Sequence, residues 1–174
     1  MGLRPAHTCR NIGKVSWTRF SRKKPRKSYV KALPHNAVQI FNMGDASKKY
    51  EMEMGVIAED NIQLRDSAIE AARQAANKYL EKRLPANYYF KVLIFPHNVI
   101  RENKMIVGAG ADRLQKGMRL SFGRPSDRAA RVRADQRIFV FRMMKKDADV
   151  VKDAIKRATL KLSGAFYTKV AELS

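Results

Sequence analysis

The sequence predicts an α+β domain: two helices packed on a mostly antiparallel or mixed sheet, with a basic N-terminal arm and a long glycine-rich internal loop. Three observations lead there. Lys49–Val56 sets Tyr50, Met52, Met54 and Val56 against Glu51 and Glu53, the period of two that marks a half-buried strand. Glu59–Leu84 repeats apolar residues at helical spacing and is rich in alanine. Tyr88–Phe95 and Ile138–Met143 are short aromatic and branched runs that read as strands, and there is no internal repeat or long linker to divide the chain.

In order, Val38–Phe41 reads as a short strand, and Asn42-Met43-Gly44-Asp45 as a turn. The Met stripe of the next strand suits a core rather than a sulfur-ligand site. In the first helix, Asp60 is placed to cap and Gln63 to complete a capping box, with Lys82-Arg83 suiting the C-terminal end of the dipole and Pro85 stopping it. Ile62, Ile69, Ala72, Ala76 and Tyr79 or Leu80 follow its helical period as the buried stripe. Tyr88–Phe95 is apolar on both faces apart from Lys91, so it is expected inside the sheet. Val99-Ile100-Arg101 resumes pairing after Pro96-His97-Asn98, and Ala130–Val132 is a short strand. Asp147 or Asp149 opens a second helix with Val151, Ile155, Ala158 and Leu162 on one stripe and Gly164 beyond its end. Ala165–Val170 returns as a last strand.

The chain has 174 residues, enough for one sizeable core, and 1–174 is read as a single domain that includes an arm, 1–36, and an internal loop, 101–128. Lys and Arg number 36 against 16 Asp and Glu, a formal charge of +20. Self-repulsion on that scale disfavours compactness unless a polyanion relieves it, and nucleic acid is the first candidate, ahead of an anionic membrane. An apolar content of 45% excludes a merely disordered basic tail. Cys9 is the only cysteine, and His7, His35 and His97 are scattered, so no disulfide or metal site is expected. No apolar run reaches membrane-spanning length and no hydrophobic stretch follows the basic N-terminus, so a cytoplasmic protein is expected.

Positive charge gathers in two segments. Residues 1–44 hold no Asp or Glu, while Arg4, Arg10, Lys14, Arg19, Arg22, Lys23, Lys24, Arg26, Lys27 and Lys31 line the arm. Trp17, Phe20 and Tyr29 interleave with them; such rings suit base stacking, and equally suit anchoring an extended arm to its own domain. The second segment runs through Arg101, Lys104, Arg113, Lys116, Arg119, Arg124, Arg128, Arg131 and Arg133. Guanidinium forks match phosphate oxygens, so these positions are read as RNA contacts rather than a solvated surface. Gly108, Gly110 and Gly117 permit bends, so the loop is expected to be mobile until RNA orders it.

Enzyme signatures are weak. Gly-Ala-Gly-Ala at 108–111 lacks the ending of a phosphate-binding loop and also fails the dinucleotide fingerprint. His97 is better explained as structural, and Asp112 as a brace for Arg113. An RNA-modifying enzyme would need a cofactor fingerprint or an acid–base cluster. A DNA architectural protein would need a basic recognition helix, yet the helices here are less basic than the loops. No enzyme activity, cofactor or dedicated small-molecule substrate is expected.

The stretch A-D-R-L-Q-K-G-M-R-L-S-F-G-R-P, Ala111 to Pro125, resembles the signature of the archaeal and eukaryotic large-subunit ribosomal protein ten-e family, counterpart of bacterial large-subunit ribosomal protein sixteen. Gly2–Arg10, Ala71–Tyr79 and Phe95–Met105 resemble further family segments, in family order. Leu120 stands where relatives often have glycine, implying a stiffer or more buried loop base. The chain stops soon after its last strand, without the extension of eukaryotic members, which favours an archaeal-type protein. The resemblance implies a structural constituent of the large subunit, held by large-subunit rRNA beside the aminoacyl-tRNA site, with neighbouring ribosomal proteins around it. It also implies that the central loop, with Gly108, Gly110, Asp112, Arg113, Gln115, Lys116, Gly117 and Arg119, reaches toward the peptidyl-transferase centre and transiently bound tRNA, the chemistry itself belonging to RNA.

Overall fold

The computed structural model describes residues 30, 32–106, 108–110, 113 and 123–173. Among these residues the elements run β1 (Asn42–Gly44), β2 (Met52–Ala58), β3 (Ile62–Arg65), α1 (Asp66–Arg83), β4 (Tyr89–Val92), β5 (Asn98–Glu102), β6 (Arg124–Val132), β7 (Arg137–Met143), a 3-10 turn at Lys145–Asp147, α2 (Ala148–Thr159) and β8 (Phe166–Glu172). One sheet has the order β1-β4-β7-β2-β8 and a second the order β3-β6-β5, with every pairing antiparallel. The α+β architecture expected from the sequence is the one found.

A single core joins the layers. The five-stranded sheet contributes Met54, Val56, Phe90, Phe139, Phe141 and Met143. From α1 come Ile69, Ala72, Ala76 and Leu80, and from α2 Val151, Ala154, Ile155 and Ala158. The stripes thus bury as their spacing predicts. Tyr79 stands at the seam between the helices: its hydroxyl lies 3.3 Å from Asp153 Oδ2, and the Arg157 guanidinium sits 4.3 Å from its ring centroid. Gly164 takes φ +106° after the last turns, a left-handed backbone that favours glycine, and a Cβ there would also have to displace the tip of Ile62, 2.4 Å away.

Three expectations need correction. The first helix begins at Asp66, not near Glu59, because Ile62 and Leu64 are buried as alternate residues of β3 and pair with Val132 and Ala130. Neither Asp60 nor Gln63 caps it; Gln63 is 2% exposed and accepts a 2.7 Å hydrogen bond from Asn98 Nδ2. Tertiary pairing has overridden local helix propensity. Second, the strand placed at Val38–Phe41 lies at Asn42–Gly44, and the turn follows it, where Asp45 Oδ1 accepts from Ser47 N at 2.9 Å. Val38 is still buried, but without strand pairing. Third, the strand placed at Ala130–Val132 starts at Arg124, since pairing with β5 carries it through Pro125, Ser126 and Asp127 past a bulge between Ile100 and Arg101.

On α1, Arg73 is buried and clamps Glu70: Nε donates to Oε2 at 2.8 Å, and the guanidinium also reaches Met43 Sδ at 3.3 Å. Hydrogen bonding from Arg73 holds the Glu70 carboxyl below the usual carboxylate range, outweighing desolvation. A lowered folded-state value means this stability is full above the unfolded pKa and is lost as pH falls through the folded one. Glu70→Gln is expected to flatten that acid limb in denaturant melts taken between about pH 3 and pH 7; an unaltered limb would show that the pair contributes nothing. Ala76, fully buried, leaves no room for growth. Ala76→Leu is expected to destabilise by about 1–3 kcal/mol in the same melts.

Candidate nucleic-acid interface

The arm joins the domain through backbone hydrogen bonds. Arg128, on β6, donates from Nε to Pro34 O at 2.6 Å. The Asp66 carboxylate at the start of α1 accepts from Ala37 N at 3.0 Å and, with its other oxygen, from Ser67 N at 2.8 Å. Asn36 brackets Val38, donating to its carbonyl at 2.6 Å and accepting from its amide at 3.3 Å. Sequence counts Arg128 among the RNA contacts; the structure gives it the further task of fastening the arm. Arg4, Arg10, Lys14, Arg19, Arg22, Lys23, Lys24, Arg26 and Lys27 lie outside the described residues. Beside the arm's exit, Phe95 stacks on Phe41 at 5.6 Å and packs against His97 at 4.6 Å, a structural place for that histidine.

The internal loop rises from a paired base. Glu102 opposes Arg124 and Arg101 opposes Pro125. Gly123 makes this closure possible: a Cβ there would lie 2.2 Å from the Glu102 carbonyl carbon and 2.5 Å from Asn103 N. Arg101 Nη1 lies 3.5 Å from Gly123 O, while Lys104 and Arg124 are exposed. Both strands therefore enter the segment 101–128, and Arg101, Arg124 and Arg128 are strand residues rather than loop residues. Further out, Gly108 and Gly110 are exposed, and Gly110 has φ +76° with its carbonyl accepting from Arg113 N at 3.1 Å. Asp112, Gln115, Lys116, Gly117, Arg119 and Leu120 lie outside the described residues.

A third basic cluster has no counterpart in any charge run of the sequence. Lys91, Arg137, Arg142 and Lys169 come from three different strands, β4, β7 and β8, and meet on the open face of the five-stranded sheet. Registers align Lys91 with Val140, Val140 with Gly55, and Gly55 with Lys169. The next row aligns Tyr89, Arg142, Glu53 and Ala171. Glu53 ties Arg137 Nη1 at 3.1 Å and Arg142 Nε at 3.0 Å. Period-two parity would have placed each cation on its strand's polar face, but only the register brings them together.

Among the described residues no group of three or more His, Cys, Asp or Glu side chains is arranged to hold a metal. No helix among them is long and apolar enough to cross a membrane.

A scaffold that buries an apolar core and, among the described residues, exposes cations at a loop base and on a sheet face has the build of a ribosomal protein. The chain belongs to the ribosomal protein L16p/L10e family, whose model matches residues 18–168; the family is structural and non-enzymatic. It is 41% identical over 147 residues to the large ribosomal subunit protein uL16 of Archaeoglobus fulgidus, covering 84% of each chain. With the protein of that name from Thermofilum pendens it shares 40% over 163 residues, 93% of each chain. With that of Methanococcus aeolicus it shares 37% over 163 residues, 93% of this chain and 90% of the other.

The loop base yields a comparison of two glycines. Gly123→Ala pushes a methyl into backbone and is expected to cost about 1–3 kcal/mol. At Gly110 a Cβ meets nothing within 4 Å, so Gly110→Ala bears only the left-handed backbone penalty, about 1 kcal/mol. Denaturant melting ranks the two; an equal or reversed ranking would mean that the strands do not close against Gly123.

Proposed function

We propose that this protein is a structural constituent of the cytoplasmic large ribosomal subunit that binds large-subunit rRNA near the aminoacyl-tRNA site and peptidyl-transferase centre, and helps to position tRNA. The observation that carries the reading is the 111–125 signature, which leads into β6 opposite β5, with Arg101 and Arg124 at the strand ends and Lys104 two residues beyond β5. A loop mounted on rigid strands delivers its tip to a fixed place. The acid-free arm supplies a second RNA contact, fastened at Pro34 and Ala37 so that its basic residues start from a defined point. The charge of +20 favours a partner carrying regularly spaced phosphates.

The tRNA part rests on Gly108, Gly110, Asp112, Arg113, Gln115, Lys116, Gly117 and Arg119 acting as the family's loop does. Reversing the charge of Arg22, Lys23, Lys24, Arg26 and Lys27 is expected to weaken rRNA binding and to reduce its salt dependence by roughly 0.7–0.9 in log–log slope per lost contact. A filter-binding titration with an unchanged slope would remove the arm from the interface. Deleting 109–116 is expected to leave assembly intact and to impair tRNA acceptance at the aminoacyl site. Assembled deletion subunits that accept tRNA and form peptide bonds at the normal rate would refute the tRNA role.

A further inference from the structure

We infer that the open face of the five-stranded sheet is a docking surface for the phosphate backbone of large-subunit rRNA, separate from the arm and the loop. The inference rests on the rRNA reading above and adds a third place of contact to it. Lys91 and Lys169 stand at the two sides of one row that crosses β4, β7, β2 and β8. Three strand spacings of about 4.8 Å put their backbones roughly 14 Å apart. Both side chains are exposed, and among the described residues neither has an acidic partner. Between them lie Arg137 and Arg142, with side chains 47% and 44% exposed, both tied to a Glu53 that is itself only 12% exposed.

Glu53 is the only carboxylate between these four cations among the described residues. The other acids of the neighbourhood are occupied at the margins: Glu51 accepts from Lys145 N at 3.0 Å, and Asp135 from the Tyr167 hydroxyl at 3.0 Å. Glu53 does not neutralise the face. Exposed ion pairs are weak, so its main effect is to position two guanidiniums that each spend one of five donors on it. Arg142 also lies 5.7 Å from the Tyr89 ring centroid, which limits its freedom further. Gly55, having no side chain, lets the Arg137 stem lie across the middle of the face, where a Cβ would meet Arg137 Cδ at 3.7 Å. The result is a basic surface on which Val140 and Leu93 lie among the cations. Fixed cations with spare donors over a flat pleated floor match a polyanionic backbone.

Site-directed radical probing tests this on assembled large subunits. In a Cys9→Ser background, iron–EDTA is tethered at Lys91→Cys, at Lys169→Cys, or, as the loop-base reference, at Lys104→Cys. Scission of one shared rRNA region from both sheet positions is expected. Scission from Lys104→Cys alone overturns the sheet inference and leaves the rRNA reading standing. Scission from none of the three overturns both. In parallel, the full-length Lys91→Gln, Lys169→Gln double variant is titrated with archaeal large-subunit rRNA over a salt series. The slope of log affinity against log salt is expected to fall by about 0.7–0.9 for each contact removed. An unchanged slope, with melting equal to the parent protein, means that the face meets solvent or a neighbouring protein and rejects the proposal.

Discussion

The stack of Phe90 on Phe141 governs the arrangement of the molecule. The two rings face each other across β4 and β7 with centroids 4.2 Å apart and planes 7° apart, and Phe139 meets Phe90 edge-on at 5.5 Å. Each such pair contributes about 0.5–1.5 kcal/mol beyond its buried area. Its larger consequence is register. Strand side chains alternate, so a slip of one residue would expose the rings and drive Lys91 and Arg142 into the core. Breaking open a site that leaves a charge buried and unpaired costs roughly 3–5 kcal/mol. The inner aromatic cluster therefore also decides which side chains share the outer face. Basic chemistry on one side of the sheet follows from packing on the other.

Excess charge imposes the second constraint. Among the described residues Asp66 and Arg73 are the buried charged side chains, and each has defined partners. Asp66 spends both oxygens on backbone amides at the start of α1, where the helix dipole also favours an anion. Arg73 is neutralised by Glu70 one turn away. These acids join elements or orient cations, and among the described residues the other Lys and Arg are not buried. Tyr88 shows how the interior treats a neutral polar group: its hydroxyl donates to Asn77 Oδ1 at 2.8 Å, and burial pushes its pKa up to about 12.

Much of the fold was legible because the periodicities were clean. Met54 and Val56, Phe139 and Phe141, and the stripe Val151, Ile155, Ala158 each bury as spacing dictates. The segment from Ile62 to Leu64 was ambiguous for a physical reason. Its apolar residues fit a strand by their spacing of two, and Ile62 also falls a heptad before Ile69, so only pairing with β6 decides. The start of β6 was hidden by Pro125, Ser126 and Asp127, residues depleted in strands that are tolerated here beside a bulge. The cationic arm and loop stand out in one dimension. The sheet-face cluster does not, because its members are separated by up to 78 positions, from Lys91 to Lys169, and share nothing but register.

These parts offer a proposed RNA partner two kinds of site: paired strands, and the arm and loop segments joined to them. A cation on a paired strand has little backbone entropy left to lose when a phosphate arrives, whereas ordering free backbone costs roughly 1–2 kcal/mol per residue. The sheet face and the loop base therefore suit positions that must be right before contact. The junctions between the two regimes are correspondingly firm: Arg128 holds Pro34, and Gly123 lets β5 and β6 close below residues 103–123. Once those strand ends are paired, each doubling of loop length adds only about 0.6 kcal/mol of closure cost. The closure cost therefore sets little limit on the length of the 103–123 segment, which leaves that length free to suit a proposed RNA partner.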